Sequence, residues 1–266
     1  MNKKIGFIGC GKMAGAIIKG ILASEKKYDI KGAEVNPETA QTAQKRLSVP
    51  VLTDNKMLVI DSNVIFIAVK PNCVNDILHE IKNELTSEKL IVSIAAGITT
   101  EKIENILGQT RVIRVMPNTP ALVLEGMSGI CKGKFATDDD IAFVKSLLSA
   151  IGKCIEVNET QMDIVTAISG SGPAFFYKVI EDIARAGEKL GLDYDKSLLL
   201  ATQTALGSAK MVFERGETPV QKLIDNVATK GGCTFVGISE MNEQNSENLF
   251  FDVINETKIK AHELGK

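Results

Sequence analysis

The sequence predicts an α/β protein in two parts: a doubly wound parallel sheet over residues 1–158, then an all-helical domain over residues 159–266. Three observations point there. Lys4–Gly20 reads as strand, glycine turn and helix; apolar runs of strand length alternate with helical periods as far as Val157; beyond Asn158 only helical periods remain.

The opening stretch is the most informative. Ile5-Gly6-Phe7-Ile8 is apolar, Gly9-Cys10-Gly11-Lys12-Met13-Ala14 fits G-x-G-x-x-G/A, and Ala16, Ile17, Ile18, Ile21 and Leu22 recur at helical spacing. Gly9 permits a tight turn, Gly11 lets backbone approach a pyrophosphate, and Ala14 allows helix to pack closely on strand. The helix N-terminus adds amide donors and the positive end of a dipole. This context predicts a dinucleotide site of Rossmann type; the alternative is a merely structural glycine turn. A secretory leader formed by Met1–Lys4 and the apolar run is disfavoured, because Lys12 and Lys19 interrupt its core.

Composition excludes several classes. Apolar residues make up 44% and charged residues 24%, enough for a sizeable core. A net charge of −2 leaves no electrostatic footprint for nucleic acid or an anionic membrane surface, and no apolar run reaches spanning length. The cysteines (Cys10, Cys73, Cys131, Cys154, Cys233) are odd in number and scattered, with no C-x-x-C. That predicts reduced thiols in a cytoplasm, not disulfides or a zinc cluster. His79 and His262 each sit in a charged helical stretch, so the chemistry is expected to run without imidazole or metal.

Along the chain, Asp29–Val35 reads as a second strand. Glu34, at its end, stands where an acid would hold the ribose hydroxyls of NAD, or is an ordinary strand-end carboxylate. Asn36-Pro37-Glu38 opens the next helix with proline in its first turn. Val64–Val69 is apolar throughout, as for a strand buried on both faces, and Lys70-Pro71-Asn72 ends it. Leu90–Ile94 is a strand ending in Ala95-Ala96-Gly97, and Arg111–Met116 another, ending in Pro117-Asn118-Thr119-Pro120. Helices are expected over Val74–Leu85 and Thr100–Leu107. Two last strands fall around Gly129–Cys131 and Cys154–Glu156, with a helix over Asp139–Ala150 between them.

In the second half, Ser169-Gly170-Ser171-Gly172-Pro173 marks a break or kink, after which Phe176, Val179, Ile180, Ile183 and Leu190 share a helical face. Leu198, Thr202, Ala205, Leu206 and Ala209 follow on a helix rich in small residues. Thr218-Pro219-x-Gln221 reads as a capping box, and Ser246–Leu264 as a final helix. So much apolar face on about a hundred residues is thin as a standalone core, which favours pairing with a second chain over packing on the sheet domain alone. Between the helices, Asn226–Phe235 carries Gly231-Gly232 before a helix start, a turn suited to a small carboxylate or simply a loop.

Taken together, Ile5-Gly6-Phe7-Ile8-Gly9-x-Gly11, Ala68-Val69-Lys70-Pro71, Ser93-x-Ala95-Ala96-Gly97, Arg114-x-Met116-Pro117-Asn118-Thr119-Pro120, Ser169-Gly170-Ser171-Gly172-Pro173-Ala174 and Gly231-Gly232-x-Thr234 resemble pyrroline-5-carboxylate reductases, in order over essentially the whole chain. The last motif is the specific one; the first is shared by many dehydrogenases. The resemblance implies the final step of proline synthesis: hydride passes from C4 of NADPH or NADH to C5 of Δ1-pyrroline-5-carboxylate, giving L-proline. It implies that Ile8, Gly9, Cys10, Gly11, Lys12 and Met13 hold the pyrophosphate, with Ala14 packed behind them. Asn36 and Glu38 would lie by the adenosine ribose. Asn55 and Ala68, Val69, Lys70 and Pro71 would run along the cofactor, with Ala95, Ala96 and Gly97 toward the nicotinamide; Asn118 completes the cofactor set.

For the substrate, the resemblance implies that Gly231, Gly232, Cys233 and Thr234 take the carboxylate with Glu159, Asn226 and Thr229 near, and that Thr234 hydrogen-bonds the ring nitrogen, where an iminium accepts hydride more readily than a neutral imine. It implies a homodimer interlocked through the helical domains, often assembled into a decamer. Both glycine turns are expected to meet across one cleft.

Where the family commonly reads Ser-Pro-Gly-Gly, this chain has Thr229-Lys230-Gly231-Gly232: a hydroxyl is kept, proline's rigidity is lost and a cation gained. Cys233 stands at a helix start, but no histidine in the motif activates it as a nucleophile. Glu34-Val35-Asn36 lacks a nearby arginine for a 2′-phosphate, which predicts that NADH serves at least as well as NADPH. Two rivals fit less well. A β-hydroxyacid dehydrogenase needs a lysine soon after a glycine pair, and Lys178 comes too late; a non-catalytic nucleotide sensor has no need of Thr234.

Overall fold

A computed structural model describes residues 3–25 and 27–265. Met1 and Asn2, at the head of the segment weighed as a leader, lie outside the described residues. The elements run β1 (Lys4–Ile8), α1 (Lys12–Ala23), β2 (Asp29–Ala33), α2 (Pro37–Leu47), β3 (Val51–Leu52), α3 (Asn55–Ile60), β4 (Val64–Ile67), α4 (Pro71–Ile81), β5 (Leu90–Ser93), α5 (Thr100–Leu107), β6 (Arg111–Met116), β7 (Gly126–Lys132), α6 (Asp138–Leu148) and β8 (Gly152–Glu156). There follow α7 (Met162–Val165), α8 (Gly172–Lys189), α9 (Tyr194–Glu214), α10 (Val220–Val227), α11 (Cys233–Glu243) and α12 (Ser246–Leu264).

The strands form one sheet in the order β3-β2-β1-β4-β5-β6-β7-β8. Every pairing is parallel except β6 with β7. The exception has a cause: only a short 3₁₀ turn, Thr119–Val123, lies between them, too little chain for a crossover. Alternating side chains cover both faces. Phe7, Phe66, Val92 and Ile113 meet α1 and α6 through Ile17, Ile18, Ile21, Val144 and Leu148. Ile8, Ile65, Ile67, Ile91 and Val112 meet α3, α4 and α5 through Leu58, Val74, Leu78 and Ile103. Phe7 and Phe66, adjacent in β1 and β4, stack at 4.5 Å between ring centroids.

The chain divides into two compact units, residues 1–171 with 256–266, and residues 172–255. Packing thus joins Glu159–Ser171 and the end of α12 to the sheet, whereas the sequence pattern changes after Asn158. In the second unit α8 and α9 form an antiparallel pair. They approach closely at Gly187, where a Cβ would lie 2.5 Å from the Ser197 hydroxyl oxygen.

Of two local expectations, one takes a specific form and one is corrected. The expected break or kink at Ser169–Pro173 is an interruption of the α-helix: Thr166–Gly170 forms one π turn, closed by the Ser171 N–H on the Thr166 carbonyl at 2.8 Å, and α8 starts after it. The capping box at Thr218 does not form; Pro219 is the N-cap of α10 and no side chain caps it.

Candidate active site

The sheet order reverses between β1 and β4, the place where open α/β sheets bind ligands. The helices that follow these two strands share an unusual start. α1 is N-capped by Gly11 and α4 by Lys70; neither has a side-chain cap or an acid in its first turn. The neighbouring α2, α3, α5 and α6 are capped by Asn36, Asp54, Thr99 and Thr137. An uncapped start leaves amide donors and dipole to an incoming anion.

Gly9 makes the first turn at φ +88° and donates its N–H to the Ala33 carbonyl at 2.9 Å. A Cβ on it would stand 2.7 Å from the Ala68 carbonyl oxygen and 2.9 Å from a Val69 methyl, so glycine lets this turn nest against the loop after β4. At Gly11 a Cβ would meet nothing within 4 Å: the missing side chain leaves open backbone at the helix start. Lys12 is exposed, Met13 half-buried, and Ile8 and Ala14 buried. These residues fit a dinucleotide diphosphate. Val69 and Lys70-Pro71 follow β4 on the same edge, with Pro71 in the first turn of α4.

The turn is held from both sides by charged groups. Glu34 accepts the Cys10 N–H at 2.6 Å on Oε1, and Arg46 of α2 donates to the Cys10 carbonyl. Burial, helped by the Glu34 charge, pushes the Cys10 thiol up to about 11. Arg46 escaped sequence reasoning, which looked for a cation no further than Asn36. Its signal was its place on the face of α2 that carries buried Ala43.

Other expected cofactor residues have partners in the fold. Asn36 caps α2, its Oδ1 accepting from Glu38 and Thr39 at 2.9 and 3.1 Å. Asn55 is buried in the first turn of α3 and donates to Glu80 at 3.0 Å. Asn118 donates to the Ser169 carbonyl at 3.1 Å and accepts the Met127 N–H at 2.9 Å, so it fastens β7 and the π turn to the end of β6. Ala95, Ala96 and Gly97 follow β5 on the same edge as the Gly9 turn, and Gly97 has φ +76°.

Glu159 is engaged within the sheet unit. Its carboxylate pairs with Arg114 of β6 and accepts the Thr100 hydroxyl at 2.7 Å and the Thr100 N–H at 3.2 Å. Burial alone would raise its pKa; the Thr100 and Arg114 hydrogen bonds outweigh that and hold it below the usual carboxylate range. The Cys131 thiol beside it is pushed up by burial and by this charge.

In the helical unit, the turn between α10 and α11 repeats the pattern of α1. Gly231 has φ +84°, and a Cβ there would meet nothing within 4 Å. Gly232 donates to the Thr229 carbonyl at 2.9 Å and N-caps α11, which again has no side-chain cap and no acid in its first turn. A Cβ on Gly232 would lie 3.1 and 3.2 Å from the Thr229 carbonyl and hydroxyl oxygens, so the turn is tight as well as open. Cys233 and Thr234 form the first turn of α11; Asn226, Thr229 and Lys230 are exposed beside it. Such a turn has the geometry that suits a small carboxylate. Among the described residues no group of histidine, cysteine or acidic side chains is arranged to hold a metal, and no helix is long and apolar enough to cross a membrane.

Residues 159–264 match the family model for pyrroline-5-carboxylate reductase dimerisation, and residues 4–97 that for coenzyme F420-dependent NADP oxidoreductases. The chain is 41% identical to a pyrroline-5-carboxylate reductase of Methanosarcina acetivorans, covering 100% of this chain and 99% of that one. It is 38% identical to the Pisum sativum enzyme of the same name, covering 98% and 95%. A solved pyrroline-5-carboxylate reductase from Coxiella burnetii superposes with TM-score 0.93 at 33% identity, each chain fully covered. One from Plasmodium falciparum with NADP bound superposes with TM-score 0.87 at 34% identity, covering 100% and 99%. With likeness of this extent along its whole length, the chain belongs to the pyrroline-5-carboxylate reductase family.

Proposed function

We propose that the chain reduces Δ1-pyrroline-5-carboxylate to L-proline with NADH or NADPH, the last step of proline biosynthesis. The observation that carries the reading is the set of helix starts at α1, α4 and α11, each without a side-chain cap or a first-turn acid. Two flank the sheet reversal and suit a dinucleotide; the third suits an amino-acid carboxylate. The names of the family's curated members support the same reaction.

In this reading Gly9–Met13 hold the diphosphate through backbone amides, the loop after β4 lines the cofactor, and Ala95–Gly97 bound the nicotinamide. When bound, the reduced nicotinamide supplies the hydride. The Gly231, Gly232 and Cys233 amides orient the substrate by its carboxylate, and Lys230 adds positive charge. Thr234 donates its hydroxyl to the ring nitrogen, which holds the C=N bond in one pose and favours its electron-poor form. Asn118 and Glu159 act at a distance, by fixing the strand ends. Glu34 favours NADH, since its carboxylate sits on the glycine turn where ribose hydroxyls would bond and a 2′-phosphate would be repelled, while the Arg46 guanidinium on the Cys10 carbonyl, absent from the sequence argument, offsets part of that charge.

Homodimer pairing through the helical segment accounts for exposed Phe176, Ile183, Leu199, Leu206, Phe213 and Phe251; assembly of dimers into a decamer is part of the proposal. Free cysteines throughout support a reducing, cytoplasmic setting. The test follows NADH and NADPH absorbance with and without pyrroline-5-carboxylate. The reading predicts substrate-dependent oxidation and L-proline as product; oxidation that ignores the substrate would reject it.

A further inference from the structure

The end of α12 is seated on the loop that follows β5. A Cβ built on Gly97 would lie 3.0 Å from the Gly265 nitrogen and 3.0 Å from the Leu264 carbonyl carbon and oxygen. Conversely, a Cβ on Gly265 would lie 2.6 Å from the Gly97 carbonyl oxygen. Two main chains touch here with no side chain between them, a contact that needs glycine on both sides. Two side chains tie the same segment down. Lys102 of α5 donates from Nζ to the Gly265 carbonyl, and His262 Nδ1 lies 3.0 Å from the Asp163 carboxylate of α7.

We infer that the end of α12 is a strap that positions the Ala95–Gly97 loop against the nicotinamide half of the cofactor, with Gly265 and Lys102 as its positioning residues. The inference rests on the proposed placement of Ala95–Gly97 at the nicotinamide. The loop cannot anchor itself: Ala95, Ala96 and Gly97 offer nothing longer than a methyl group. Toward its own neighbours the loop donates one hydrogen bond, from the Ala95 N–H to the Ser93 hydroxyl oxygen at 3.3 Å. The backbone of α12 supplies a rigid wall on its other side. The diphosphate end of the site is built separately, by the Gly9 turn and the loop after β4. Disturbing the strap therefore acts on one half of the cofactor and spares the other.

The test uses the full chain with Gly265→Ala and, separately, Lys102→Met. Gly265 is not among the glycines with positive φ, so alanine adds a clash with Gly97 without backbone strain. Binding of NADH and of ADP-ribose, which lacks the nicotinamide, is measured by titration, together with the fluorescence of bound NADH and kcat. The strap predicts NADH affinity reduced about fivefold and kcat about tenfold, with altered nicotinamide emission and ADP-ribose affinity unchanged within about twofold. Equal loss of both ligands, or no change in either, would overturn it. If Gly265→Ala does not fold, Lys102→Met decides by the same comparison. A wild-type chain without turnover would count against the proposed reaction, and the contrast between the two ligands would still judge the strap.

Discussion

The carboxylate of Glu34 accepts the backbone N–H of Cys10 at 2.6 Å, which fixes a negative charge on the middle of the first glycine turn. Glutamine at this position keeps an acceptor and removes the charge. Glu34→Gln should therefore raise kcat/KM for NADPH relative to NADH by about tenfold, the size expected for lifting one close like-charge contact. Steady-state kinetics with both cofactors check this, and an unchanged ratio would remove Glu34 from cofactor choice.

The Arg114–Glu159 pair joins β6 to the segment after β8, with the Arg114 side chain 3% exposed and that of Glu159 29% exposed. Glu159→Gln leaves a buried guanidinium without its counter-charge, and the expected loss is about 2 kcal/mol, below the range for a fully buried pair because Glu159 keeps some water contact. The folded-state pKa of Glu159 is lowered, so the stability it contributes is present above the ordinary carboxylate pKa of its unfolded state and is lost as pH falls through the lower folded value. Denaturant unfolding across acidic pH should show a shallower acid decline in the variant. Equal declines would mean that the pair does not couple to folding.

Thiol reactivity should divide by environment. Burial pushes Cys10 and Cys154 up to about 11 and raises Cys131 further, while Cys73 and Cys233 are exposed. Iodoacetamide near neutral pH should label Cys73 and Cys233 and spare Cys10 and Cys131. Peptide mass mapping reads the outcome, and L-proline should slow labelling at Cys233 if the α11 turn is the carboxylate site. Early labelling of Cys10 would mean that the glycine turn opens in solution.

Much of this was legible in the sequence because local signals agreed with the fold. The strand–turn–helix of Lys4–Gly20 and the periods of Thr100–Leu107 and Ser246–Leu264 fall in the expected elements, and the apolar run Val64–Val69 forms β4 as far as Ile67. Short elements left no period to read: β3 has two residues and α3 six. The antiparallel turn into β7 follows from connection length, visible only once both strand ends are known. Side-chain roles were the least legible. Asn55, Asn118 and Glu159 are set by Glu80, Met127, Ser169, Arg114 and Thr100, all but Met127 distant in the chain. Glycine and proline at 170–173, ordinary signs of a break, are absorbed by a π turn and the first turn of α8.

The most direct test of the division of labour between the two glycine turns is Thr234→Ala, read as kcat/KM for pyrroline-5-carboxylate alongside the dissociation constant of NADH. Loss of one donor to the reacting nitrogen predicts kcat/KM reduced about 100-fold with NADH binding unchanged. Wild-type turnover in that variant would contradict the account.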